Sequence, residues 1–122
     1  MTPEQQRIAL AEWAGWKRPD HPDVMKVKEG WTKPEAWWMC PQGVLRFKHD
    51  IPDYLNDLNA VHELEEKLTF EQAEQFEDEL CHIVVKCNEQ QKKQAPWRFA
   101  VAHATAAQRC EALLKTLNLW KP

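Results

Sequence analysis

A chain of 122 residues, 43% hydrophobic and 29% charged, is sized and mixed for a single domain, residues 1–122, around one core. A formal net charge of −3 removes the electrostatic basis for a duplex nucleic-acid partner, which needs a basic stripe, so the expected partner is small or is a protein. No apolar run approaches the roughly 18 residues of a membrane span, which speaks against a membrane partner.

Two further counts matter. The four cysteines, Cys40, Cys81, Cys87 and Cys110, form no CxxC pair, and the chain opens on a polar helix instead of a signal peptide. Both features point to reduced thiols in a cytosolic compartment. Seven tryptophans stand against three glycines. A core of this size absorbs only part of that aromatic surface, and the surplus points to a stacked ligand or a partner surface.

In chain order, "TPEQQRIALAEWAG" reads as a first helix, with Thr2 as N-cap, Pro3 at N1, Gln5 completing a capping box, Ile8 and Ala11 inward, and Gly15 as its stop. The segment 17–36 carries three prolines and many charges and reads as a long irregular connection. "WWMCPQGVLRFK" reads as a hairpin with strands near 36–40 and 44–48 and the three-residue turn Pro41-Gln42-Gly43. Asp53 is placed to cap a helix with Leu55, Leu58, Val61, Leu64 and Leu68 along one buried stripe. Thr69 starts another, with Phe70, Ala73, Phe76, Leu80, Ile83, Val84 and Cys87 inward and acids in its first turns, where the helix dipole favours them. "WRFAVAHA" reads as a third strand, and Thr105 opens a last helix with Ala106, Cys110, Leu113, Leu114 and Leu117 inward. The order α-β-β-α-α-β-α implies an α+β fold, a sheet of about three strands covered by helices.

Cys81, His82 and Cys87 share a helix but lack the ligand spacing of a zinc site, so no metal is expected. No Gly-rich phosphate loop, nucleophile elbow or HExxH occurs, and the cysteines fall on strands or apolar helix faces, so neither catalysis nor a cofactor is expected. The polar groups that remain are clustered. Tyr54, Asp57 and Val61 share one face of the helix after Asp53, and Asn59 lies on another. Asn and Asp are mediocre helix formers, at a cost of about 0.5 kcal/mol each, so something besides propensity selects them. They either bond neighbouring loops or present amide and carboxylate groups to a ligand. At the last helix, His103 and Thr105 stand at the entry and Arg109 one turn in, a natural anion site if the helix start is open and an ordinary cap with a salt bridge if it is not. Trp16 and Trp31 flank a loop carrying Lys17 and Arg18, a pairing of aromatic and cation suited to stacking a base beside its phosphate, while Trp37 and Trp38 point to opposite faces of their strand, one for the core and the other for a platform under a covering helix or subunit.

The segments "QQRIALAEWAGW", the Trp-rich hairpin, "IPDYLNDLNAVHELEEKLT" and "ATAAQRCEALLKTLNLW" together resemble the phage ABA sandwich domain family, small proteins of bacteriophages and prophages. The likeness spans nearly the whole chain and departs from the family pattern in longer segments at 19–34 and near Gln90. It implies an alpha-beta-alpha sandwich encoded by a phage and expressed in a host bacterial cytoplasm, with no settled reaction. The expectation that combines these readings is a non-catalytic, homo-oligomeric accessory protein that sequesters a small nucleotide-derived immune signal at Trp16, Arg18, Trp31, Trp38, Tyr54, Asp57, Asn59, His103, Thr105 and Arg109. The alternative is a module that docks on and inhibits a host or phage protein.

Overall fold

The structure, a computed structural model, describes residues 1–18, 37–90 and 96–122. Among these the fold is α+β, with five α-helices and one two-stranded antiparallel sheet. In chain order they are α1 (Pro3–Trp13), β1 (Trp37–Met39), β2 (Leu45–Phe47), α2 (Leu58–Glu65), α3 (Phe70–Gln90), α4 (Trp97–Ala102) and α5 (Ala106–Thr116), with a turn of 3-10 helix at Lys48–Asp50. The chain divides into two compact units, Met1–Leu10 with Asp53–Pro122, and Ala11–Pro52.

In the first unit, three helices start on the same local device. Thr2, Thr69 and Thr105 each accept a hydrogen bond from the backbone N–H three residues on, and Oε1 of Gln5, Gln72 and Gln108 accepts one in return from the threonine N–H, all between 2.9 and 3.2 Å. Each reciprocal pair satisfies two donors that a helix start otherwise leaves bare. The long helix α3 packs on α5 and on α4, and α2 packs on α5. Leu80 and Val84 from α3, Val61 and Leu64 from α2, and Leu113 and Leu114 from α5 are buried at the centre. The apolar stripes expected from the sequence hold there and fail at the helix starts: Leu58, Phe70 and Ala73, expected inward, are exposed.

The second unit is built on the hairpin. Trp37 pairs with Phe47, Trp38 with Arg46 and Met39 with Leu45. Cys40 and Val44 close the turn, with Cys40 N donating to Val44 O and Gly43 N to Cys40 O, both 2.9 Å. Gly43 sits at φ 82°, the left-handed position that a three-residue hairpin turn assigns to glycine. The strands are shorter than the expected 36–40 and 44–48. Lys17 pairs across the hairpin's other side, exchanging backbone bonds of 2.7 and 2.9 Å with Met39. The stop of α1 is as expected, with Gly15 at φ 108° and its α-carbon facing Pro41.

Two expected elements are different. The third strand, "WRFAVAHA", is the short helix α4, entered from Pro96, whose carbonyl accepts from Ala100 N at 3.0 Å. The described sheet therefore has two strands, and the expected α-β-β-α-α-β-α order does not hold at its sixth element. The helix expected to begin at Asp53 begins instead at Leu58. Residues 53–57 form a turn in which Asn56 N and Asp57 N both donate to Asp53 O, and Asn56 Nδ2 donates to Asp53 Oδ2 at 3.0 Å.

Candidate functional site

The polar cluster around Asp57 takes its geometry from that turn. Asp57 is the N-cap of α2, its Oδ1 accepting from Asn59 N at 3.0 Å and from Ala60 N at 3.4 Å. Tyr54 and Asp57 precede the helix, so they do not share a helical face with Val61 as the i, i+3, i+7 spacing implied. Tyr54 is buried and Asn59 exposed. The mediocre helix formers therefore stand before the helix or in its first turn, where a short polar side chain competes best for backbone donors.

The start of α5, the candidate anion site, meets α2 in direct contact. Arg109 Nη1 donates to Glu65 Oε1 at 2.8 Å, and its Nη2 to Val101 O at 3.3 Å. Both ends of this ion pair are largely covered, at 12% exposure for the Arg109 side chain and 16% for Glu65. The third donor, Arg109 Nε, is buried and has no hydrogen-bond partner among the described residues. One residue on, Cys110 Sγ donates to Tyr54 O at 3.2 Å. Burial, then the nearby Glu65 and Asp53 charges, push the Cys110 thiol up to about 12. Burial likewise pushes the Tyr54 phenol up to about 12, with Glu63 and Cys110 adding to it and Arg7 opposing. Neither group is poised as a nucleophile or base at neutral pH.

Thr105 Oγ1 is engaged by Gln108 N at 3.1 Å, so the start of α5 is capped from within. His103 is exposed, with Nδ1 2.9 Å from Phe99 O and its ring stacked on Phe99 at 4.0 Å between centroids. The structure thus ties Tyr54 to α5 through Cys110 and Arg109 to α2 through Glu65, while Asp57 and Thr105 are bonded to the backbone of their own helix starts and Arg109 to Glu65 and the Val101 carbonyl.

In the second unit, Trp16 and Trp38 are buried, and the Arg18 guanidinium lies over the Trp38 ring, 5.2 Å from its centroid. Arg18 thus meets an aromatic ring that the sequence had not paired with it, and one that belongs to the core. Trp31 lies outside the described residues. In the turn, burial raises the Cys40 thiol, but hydrogen bonds with the backbone of Val44 and Gln42 and the Arg46 side chain outweigh it and hold the thiol below its ordinary value of 9.0.

The feature that sequence reading did not single out lies on α3 and α4. Glu77, Asp78, Cys81 and Val85 of α3 and Val101 of α4 line a groove of about 350 Å³. Val85 is 37% exposed, and Phe99 on α4, 57% exposed. The signal was present as a second stripe on α3, stepping 74, 78, 81, 85 beside the buried 76, 80, 83, 84. Cys81 belongs to this groove and His82 is exposed; among the described residues no group of three or more His, Cys, Asp and Glu is placed to hold a metal ion. Nor is any described helix long and apolar enough to cross a membrane.

Comparison with protein families, with curated proteins and with solved structures finds no match to this chain.

Proposed function

We propose that this chain is a non-catalytic accessory protein of the phage ABA sandwich type, acting in a host bacterial cytoplasm as a module that docks on and inhibits a host or phage protein. One observation carries the preference for docking over small-ligand capture. The polar side chains that would have contacted a nucleotide, Asp57, Thr105 and Arg109, are bonded within the chain, while Leu58, Phe70, Val85 and Phe99 stand exposed. Exposed apolar groups rimmed by charge are the usual material of a protein interface. The chain is assigned no catalytic role, cofactor or duplex nucleic-acid partner.

A second reading, sequestration of a small nucleotide-derived immune signal by a homo-oligomer, draws on one specific feature. The buried Nε of Arg109 retains an N–H that an acceptor on a ligand would satisfy.

The two are separated by site-specific photo-cross-linking during expression in a phage-sensitive host, with the cross-linker at Phe99 or Phe70, alongside native mass spectrometry of protein incubated with cyclic dinucleotides and ADP-ribose-derived signals. Docking predicts one cross-linked partner in stoichiometric yield, which soluble wild-type chain competes away, and no retained nucleotide. A nucleotide released intact by heat and lost on Arg109→Ala would establish sequestration instead. A chemically altered nucleotide would refute both readings and make the protein an enzyme.

A further inference from the structure

The exposed side of α3 is divided along its length. From Phe70 to Val85 the helix carries five acids, Glu71, Glu74, Glu77, Asp78 and Glu79, and neither lysine nor arginine. Phe70, Glu74, Asp78, Cys81 and Val85 follow one another in steps of four, four, three and four, which places them in one line on the helix surface. That line is away from the core, since Phe76, Leu80, Ile83 and Val84 form the buried side. It is acidic in its first half and apolar in its second, where Cys81 and Val85 open onto the groove shared with Val101 of α4. At 1.5 Å per residue, Phe70 to Val85 spans about 22 Å, or about four helical turns.

Resting on the docking reading, we infer that this groove and the acidic line continuing it take a basic amphipathic helix of a partner protein. Apolar anchors at helical spacing would lie against Val85 and Val101, and Lys or Arg side chains would meet Glu74, Glu77 and Asp78. The charge decides among occupants. An anionic nucleotide entering the groove would meet two carboxylates and no cation among its described lining residues. A second copy of the chain docking through the same face about a two-fold axis would set acid against acid where the two helices run parallel and acid against apolar side chains where they run antiparallel, and in neither case would its own line bring a cation to the carboxylates. A cationic helix is attracted by the rim and satisfies the apolar floor.

The test is fluorescence anisotropy of the full chain with labelled model peptides about three turns long. One is an amphipathic helix of leucine and lysine, and the other has the same leucines with glutamate replacing lysine. The leucine-lysine peptide is expected to bind in the micromolar range. Its affinity should fall at least about tenfold for Val85→Asp and for the pair Glu77→Gln with Asp78→Asn, and about tenfold when salt is raised from about 0.05 to 0.5 M. Unchanged melting curves of these variants show that the fold is intact, and Val85→Ala serves as a milder variant if Val85→Asp does not fold. Equal binding of the glutamate peptide, or affinity unmoved by both variants, overturns the inference. So does a dimer in sedimentation that Val85→Asp dissolves, because the face then belongs to a second copy. Failure here with a competed cross-link from Phe70 leaves docking standing with a partner of other chemistry than a basic helix, whereas absence of any cross-linked partner removes the docking reading itself.

Discussion

Replacing Arg109 tests the reassignment of this residue from ligand contact to structural tie. Arg109→Ala removes the 2.8 Å bond to Glu65 and the 3.3 Å bond to Val101 O, and strands a carboxylate whose side chain is only 16% exposed. A charge-assisted hydrogen bond contributes about 1.5–3 kcal/mol and the weaker one about 0.5 kcal/mol. Breaking a fully buried pair costs about 3–5 kcal/mol, and the residual exposure of both partners discounts that figure. A loss of about 2–3 kcal/mol is expected, or about 8–12 °C in Tm for a chain of this size. Urea unfolding followed by far-UV circular dichroism measures it. A cycle with Glu65→Gln and the double variant isolates the pair, whose coupling should reach about 1–2 kcal/mol because the two groups are in direct contact. His62 Nδ1, 3.7 Å from Glu65 Oε2, is too exposed to replace the guanidinium. A single-variant loss below about 0.5 kcal/mol, together with lost nucleotide retention, would refute the structural assignment and return Arg109 to a ligand site.

The raised Tyr54 and Cys110 values make the fold alkali-sensitive. Both groups are protonated acids whose folded pKa lies above the ordinary value, so their contribution is complete below about pH 9 and is lost as pH rises toward about 12. Each group steepens the fall of unfolding free energy by up to about 1.4 kcal/mol per pH unit, and urea melts across that range should show Cys110→Ala removing the part that begins near pH 9. Asp57→Ala and Thr105→Ala should each cost about 1 kcal/mol in the same assay through loss of a helix cap, whereas Asn59→Ala should stay within about 0.5 kcal/mol. Gly15→Ala should cost about 1–3 kcal/mol. A Cβ there meets Pro41 at an ordinary 3.4 Å, so the penalty comes from the backbone at φ 108° and shows as a lower Tm.

What was legible in the sequence was mostly local. The T-x-x-Q starts at Thr2, Thr69 and Thr105 and the Pro41-Gln42-Gly43 turn carry their own hydrogen-bonding partners within three or four residues, so they were readable without tertiary information. The stretch from Trp97 was not. The six residues WRFAVA, apolar but for Arg98, are too few for periodicity to separate a strand from a short helix. In the structure Pro96 supplies the first acceptor, alanines at 100 and 102 favour the helix, and Phe99 stacks on His103 one turn later. Asp53 was expected as the cap, and the cap is Asp57. The choice fell on Asp57 because Asp53 is engaged, through its carbonyl and carboxylate, in the preceding turn. The candidate site was less legible for a different reason: residue type announces what a side chain can bond, but only packing shows what it already bonds.

That distinction also orders the charges of this unit. The acid that pairs in the interior, Glu65, lies on the short helix α2 and meets a cation 44 residues away, a contact made only when α2 and α5 have packed. The acids of α3 line an exposed face next to apolar groups that the fold does not cover. Acids in the first turn of α3 are favoured by its dipole, which accounts for Glu71, but that effect fades after the first turn and does not reach Glu77 or Asp78. Helix propensity does not require them there either, since glutamine would serve Glu77 equally well and aspartate at 78 is a poorer helix former than both. Their position at the mouth of a groove floored by Val85 and Val101 gives them a use in binding that they lack in folding. Neutralising them should therefore leave the melting temperature almost unchanged while weakening a cationic partner, a separation that a purely solvating role for these acids would not produce.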